Sequence, residues 1–167
     1  MPALFALATS VGVLAIAATW VFGGPLAGLN GQVWIAFVAW GAHFHCGGTI
    51  KGTQDAIVCM SFGAVIGMLA IYLAGALGAL GQFAAPIAVG LGATAIVLSS
   101  STKFLAAIPA SVYGFASIAG LWLLGGTDVL GADAAVGSAL LPTVLSIVVG
   151  AAFGIVSENL ANALTKK

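Results

Sequence analysis

Both histidines of the chain, His43 and His45, stand beside Cys46 in the stretch WGAHFHCGGTIKG, residues 40–52. Imidazoles and a thiol are ligands for copper or zinc. On a helix, however, positions i and i+2 point about 200° apart, so both rings reach one ion only if the segment unwinds. Haem held by two histidines needs them on facing elements, and the chain has no third histidine. Two other uses compete: lining a pathway for a small solute, and bonding to a neighbouring helix inside a membrane. For His43 all three stay open, with pathway lining first. For His45 the interhelical bond comes first. No metal ligand is assigned and no cofactor is expected.

The remaining reactive groups are sparse. Glu158 is the one acidic residue within an apolar stretch. Counted from Leu140 it lies about 27 Å along its span, at the boundary, where a snorkelling or capping carboxylate is the expectation. Cys59, Met60 and Met68 read as packing residues. No Ser-His-Asp order in a fitting context, no HExxH, no CxxC and no phosphate loop occurs, so an enzyme is not expected.

These residues have to be held by something, and composition says what. With 62% hydrophobic and 5% charged residues among 167, the chain cannot present the charged surface of a soluble domain. An all-α integral membrane protein follows, one polytopic domain over 1–167 with the lipid bilayer as its surroundings. Six apolar stretches supply its spans: Leu4 to Phe22, Val33 to Gly48, Ile57 to Leu77, Phe83 to Leu98, Phe104 to Leu124 and Leu140 to Ala161. The segments between them, including TIKGTQDA and SSSTK, carry turn and cap residues; the latter is read as a cap for span five. No arginine occurs, so nucleic acid is not an expected partner.

Six crossings put the N-terminus, Lys51, Lys103, Lys166 and Lys167 on one side, and Asp128 and Asp133 on the other. The positive-inside rule then predicts cytoplasmic termini, with Trp20, Trp34 and Trp122 near the outer interface.

An internal repeat is suggested by GAVIGMLAIYLA (63–74) and GAAFGIVSENLA (150–161), which pair span three with span six. Spans one and four match more weakly. Repeats over 1–80 and 83–165, each of three spans, would be inverted, with a site near the midplane between them. Span two stops at Gly47-Gly48 and span five carries Pro109 near its start, so both are expected to be interrupted. In this register Tyr113 stands opposite His43. The pathway-lining candidates are therefore His43, Tyr113, Phe44, His45, Trp40 and Pro109. The spacings Gly63 to Gly67 and Gly150 to Gly154 predict close helix contacts, and glycine-rich faces predict a homo-oligomer.

Phe44, Gly47, Gly48, Lys51, Gly52, Pro109, Tyr113 and Gly114, with the final GAAFGIVSENLANAL, resemble the YcdZ-like bacterial inner-membrane proteins, a family of unknown function, over nearly the whole chain. The resemblance implies a six-helix protein of the bacterial inner membrane and assigns no substrate. His43 and His45 depart from its aromatic or small positions. Residues and resemblance together predict a channel or facilitator for a small neutral or weakly charged solute. The alternatives are a scaffold or anchor subunit of a larger complex and a metal-handling protein using His43, His45 and Cys46.

Overall fold

A computed structural model describes residues 1–130 and 135–165, with no side chains at 126–129. Asp133, Lys166 and Lys167 lie outside the described residues, as does the side chain of Asp128. The described chain is all-helical, without a strand: α1 (Ala3–Gly23), α2 (Val33–His45), α3 (Thr49–Ala76), α4 (Ala84–Ser99), α5 (Ile108–Leu130) and α6 (Leu140–Thr165), with short 3-10 turns before α4, α5 and α6 and between α1 and α2. Five helical segments are long and apolar enough to cross a membrane, an architecture compatible with a multi-pass membrane protein. Large apolar side chains face outward throughout: Leu4, Phe104 and Leu124 are more than three-quarters exposed. The exception in length is α2, whose 13 residues span only about 20 Å.

Two segments expected as turns are built differently. Thr49 to Ala56 forms the first two turns of α3. The polar residues there satisfy the helix end: the Thr53 hydroxyl lies 3.0 Å from the Thr49 carbonyl, and Lys51 pairs with Asp55 one turn on. The hydroxyls of Ser99, Ser100, Ser101 and Thr102 donate to carbonyls three or four residues back. They close α4 rather than cap α5. Chain after them forms a 3-10 turn at Lys103–Leu105 and restarts as α5 at Ile108. Pro109 is thus the second residue of α5, where its missing N–H leaves no helix bond unmade; the break in span five precedes it.

Helix contacts are set by residue size. A Cβ on Gly63 would come within 1.7 Å of the Ser111 carbonyl oxygen, and one on Gly114 within 1.8 Å of that of Met60. The backbones of α3 and α5 therefore touch. Gly150 meets the Ala36 carbonyl oxygen in the same way, at 2.1 Å, and a Cβ on Gly154 would lie 2.7 Å from His43 Cβ, so α2 is pressed onto α6. Further out, α1 packs on α6 and α4 on α3, while α2 and α5 touch each other far less. The glycine spacings thus serve contacts within the chain.

Polar bonds fix the α1, α2 and α6 seam. Trp40 Nε1 donates to Ser157 Oγ at 2.9 Å, and Ser10 Oγ donates to the Ser157 carbonyl at 2.6 Å. Ser157→Ala leaves the buried indole N–H of Trp40 without an acceptor. The expected cost is about 1 to 3 kcal/mol, read as a lowered Tm in mild detergent; an unchanged Tm would show that the indole bond contributes nothing.

Candidate functional site

The last turn of α2 sends its two histidines to different partners. His43 is completely buried. Its Nδ1 lies 2.9 Å from Thr53 Oγ1 on α3 and its Nε2 lies 3.2 Å from Glu158 Oε2 on α6. Gly154, one turn before Glu158, leaves the room that the ring occupies. The same carboxylate oxygen accepts from the Thr49 N–H at 2.7 Å, so Glu158 caps α3 as well as holding His43.

The turn between α2 and α3 is sharp. Gly47, Gly48 and Thr49 have φ of 94°, 69° and 61°, and the Gly48 N–H closes onto the His43 carbonyl at 3.0 Å. Glycine adopts this conformation freely, whereas a β-branched threonine there is strained. A Cβ on Gly48 would also meet the Glu158 carboxylate at 3.0 Å. Beside the turn an open groove of about 370 Å³ is lined by Thr49, Lys51, Ile155, Glu158, Asn159 and Asn162.

His45 is exposed and faces α5, with Nδ1 2.8 Å from the Tyr113 hydroxyl. Tyr113 therefore meets His45, and the expected pairing of Tyr113 with His43 is not formed. Pro109, exposed, lies one turn before Tyr113 on the same helix. The other two candidates point elsewhere. Trp40 is buried between Phe37 and Phe153, and Phe44 faces outward, its ring edge-on to His43. Cys46 and Cys59 are free thiols. Among the described residues no three histidine, cysteine or acidic side chains are grouped to hold a metal ion.

The depths at which α2 and α5 begin define the site's shape. The Gln32 N–H, just before α2, donates to Ser146 Oγ at 2.8 Å, about 9 Å in from the start of α6. At the opposite end Cys59 Sγ lies 3.5 Å from the Phe104 carbonyl oxygen, just before α5, about 15 Å in from the start of α3. Each helix thus starts inside the layer spanned by its neighbours, from opposite ends. Above α2 the recess is a groove of about 180 Å³ lined by Gln32, Trp34, Gly120, Leu121, Leu124 and Gly125. At the opposite end, Pro109 and Tyr113 on the first turns of α5 stand beside His45. Buried Ile35, Met60 and Ile118 lie in the core between the ends.

Sequence reasoning missed the partnership of His43 with Thr53 and Glu158. A signal was available, because a lone acid in an apolar span and a lone pair of histidines are each costly unless paired. Gln32 and Gly120 carried no signal, since their role comes from where neighbouring helices begin.

A family model described as protein of unknown function, DUF1097, matches residues 8–162. No curated protein and no solved structure matches the chain.

Proposed function

The chain belongs to the DUF1097 family, whose function is unknown, so function has to be argued from geometry, and we propose a membrane channel or facilitator for a small neutral or weakly charged solute. The observation that carries this reading is that α2 and α5 begin part-way into the layer from opposite ends, with a groove above the start of α2. Interrupted helices are tolerated inside a bilayer where they line a cavity. The seam between α2 and α5 offers hydrogen-bonding groups at both mouths, Gln32 at one and His45 with Tyr113 at the other, and apolar side chains between them. An apolar waist suits a small uncharged molecule better than an ion. The reading gives the protein no catalytic chemistry.

The inverted repeat belongs to the same proposal. One constant offset carries Gly63 and Gly67 onto Gly150 and Gly154. A second carries Ala36 and His43, the contacts of Gly150 and Gly154, onto Ser111 and Ile118, the contacts of Gly63 and Gly67. In this register the partner of His43 is Ile118, not Tyr113. The resemblance to the YcdZ-like proteins carries the proposed placement in the bacterial inner membrane. Because Gly63, Gly67, Gly150 and Gly154 serve contacts within the chain, assembly into a homo-oligomer rests on Gly12 and Gly41, where an added Cβ would meet nothing within 4 Å.

Orientation follows from the lysines. Lys51 and Lys103 are exposed, and the Met1 amine lies 3.5 Å from the Leu164 carbonyl oxygen. With positive charge inside, a C-terminal fusion is expected to be active as a cytoplasmic reporter and silent as a periplasmic one. The reverse pattern would overturn the topology.

The function is tested by reconstituting purified protein in liposomes and screening urea, ammonia, short carboxylates and amides for flux. His45→Ala or Tyr113→Phe removes one hydrogen bond of about 1 kcal/mol, which changes the rate roughly five-fold where it contributes at the barrier. Rates equal to protein-free liposomes for every solute would favour the scaffold reading.

A further inference from the structure

We propose that His43, Glu158 and Thr53 form a binding site for one exchangeable proton. The argument is a count of hydrogens. Thr53 Oγ1 lies within hydrogen-bond distance of two groups, the Thr49 carbonyl at 3.0 Å and His43 Nδ1 at 2.9 Å, but a hydroxyl carries one hydrogen. Glu158 Oε2 accepts from the Thr49 N–H and faces His43 Nε2 at 3.2 Å.

Two protonation levels satisfy every group. In the first, neutral His43 donates from Nε2 to the Glu158 carboxylate, and its Nδ1 accepts from the Thr53 hydroxyl. In the second, one more proton sits on Nδ1, which donates to Thr53 Oγ1, and the Thr53 hydrogen turns to the Thr49 carbonyl. The trio's charge changes from −1 to zero, with imidazolium against carboxylate. No third group has to move. The added proton reaches Nδ1 through Thr53, whose hydroxyl passes its hydrogen to the sealed ring and takes a replacement from water on its partly exposed side.

Among the described residues the surroundings leave the trio as the exchanging unit. From α3 the nearest charges are Lys51 and Asp55, which pair with each other. The turn adds Cys46, α1 contributes only the Met1 amine, held at Leu164, and α6 adds the uncharged Asn159 and Asn162. The site also lies on strained backbone. Its switching hydroxyl reaches the carbonyl of Thr49, the threonine at φ 61°. Proton loading therefore changes the bonds that hold the α2–α3 turn, two residues from His45 at the lysine-end mouth of the proposed pathway. That link to the mouth rests on the function proposed above; the proton site does not.

The experiment is ¹⁵N spectroscopy of histidine-labelled full-length protein in lipid bilayers between about pH 5 and 8, the range in which an imidazole charges, with His45→Phe to identify the His43 signals. The expected result is a His43 ring that passes from one N–H to two as pH falls. In Glu158→Gln the doubly protonated ring is lost over this range, because the anion that favours it has gone. That variant keeps a carbonyl oxygen to accept from the Thr49 N–H, so the turn remains capped. Thr53→Val supplies a second arm: with no oxygen to receive Nδ1–H, it disfavours the two-N–H ring. A His43 ring with one N–H throughout, or one whose transition is the same in wild type, Glu158→Gln and Thr53→Val, would overturn the proposal. These spectra do not depend on flux, so the proton site and the solute pathway can fail separately.

Discussion

Gly63→Ala and Gly114→Ala are each expected to destabilise the protein by about 3 kcal/mol or more, at the top of the range for overpacked cores. Neither new methyl group has a flexible neighbour to displace. It meets a carbonyl oxygen of the facing helix, at 1.7 Å for Gly63 and 1.8 Å for Gly114, so α3 and α5 must separate along their whole crossing. Loss of the monodisperse folded species in mild detergent, or a Tm lowered by many degrees, is the expected readout. Gly75→Ala and Gly90→Ala are the controls, since a Cβ there meets nothing within 4 Å. Removing helix glycine at open positions is expected to stabilise by about 0.5 to 1 kcal/mol. Equal tolerance at all four positions would contradict the packing described.

The second large effect is at His43. Its ring is fully buried and engaged at both nitrogens, so His43→Ala creates a cavity and removes a partner from Thr53 and Glu158 at once. The expected cost is about 2 to 4 kcal/mol. His45→Ala, at an exposed site, is expected to cost less than about 0.5 kcal/mol while altering flux. The two histidines thus separate stability from transport, and thermal unfolding of both variants beside their flux rates reads that separation. A stable His43→Ala protein with altered flux would restore His43 to the pathway.

How legible this was follows from which forces decided each feature. Hydropathy alone marks apolar helices, because a span is long and its signal sums over many residues. The close crossings were legible as small-residue spacing, but not their partners: Gly63 meets Ser111 and Gly150 meets Ala36 through tertiary geometry that no local pattern encodes. The polar run from Thr49 to Ala56 misled for a related reason. Threonine, lysine, glutamine and aspartate suit a turn and equally suit an exposed first helical turn, and the carboxylate that caps it, Glu158, lies far away in sequence. His43 and Tyr113 were paired by a repeat register. The bond actually made, His45 with Tyr113, depends on the helix face each ring occupies. The 200° divergence of positions i and i+2 shows in where the rings go, His43 to α3 and α6 and His45 to α5.

The most direct measurement is solute flux through proteoliposomes of wild type and of Gly120→Phe. Gly120 lines the recess above α2, where a Cβ would lie 3.1 Å from the Trp34 ring, so a phenyl side chain must displace the tip of that indole as it fills the mouth. The account predicts that wild type passes at least one small neutral or weakly charged solute faster than protein-free liposomes, and that Gly120→Phe, folded to the same Tm, falls to the protein-free rate. Flux unaltered in Gly120→Phe, or no flux of any such solute through wild type, would contradict it.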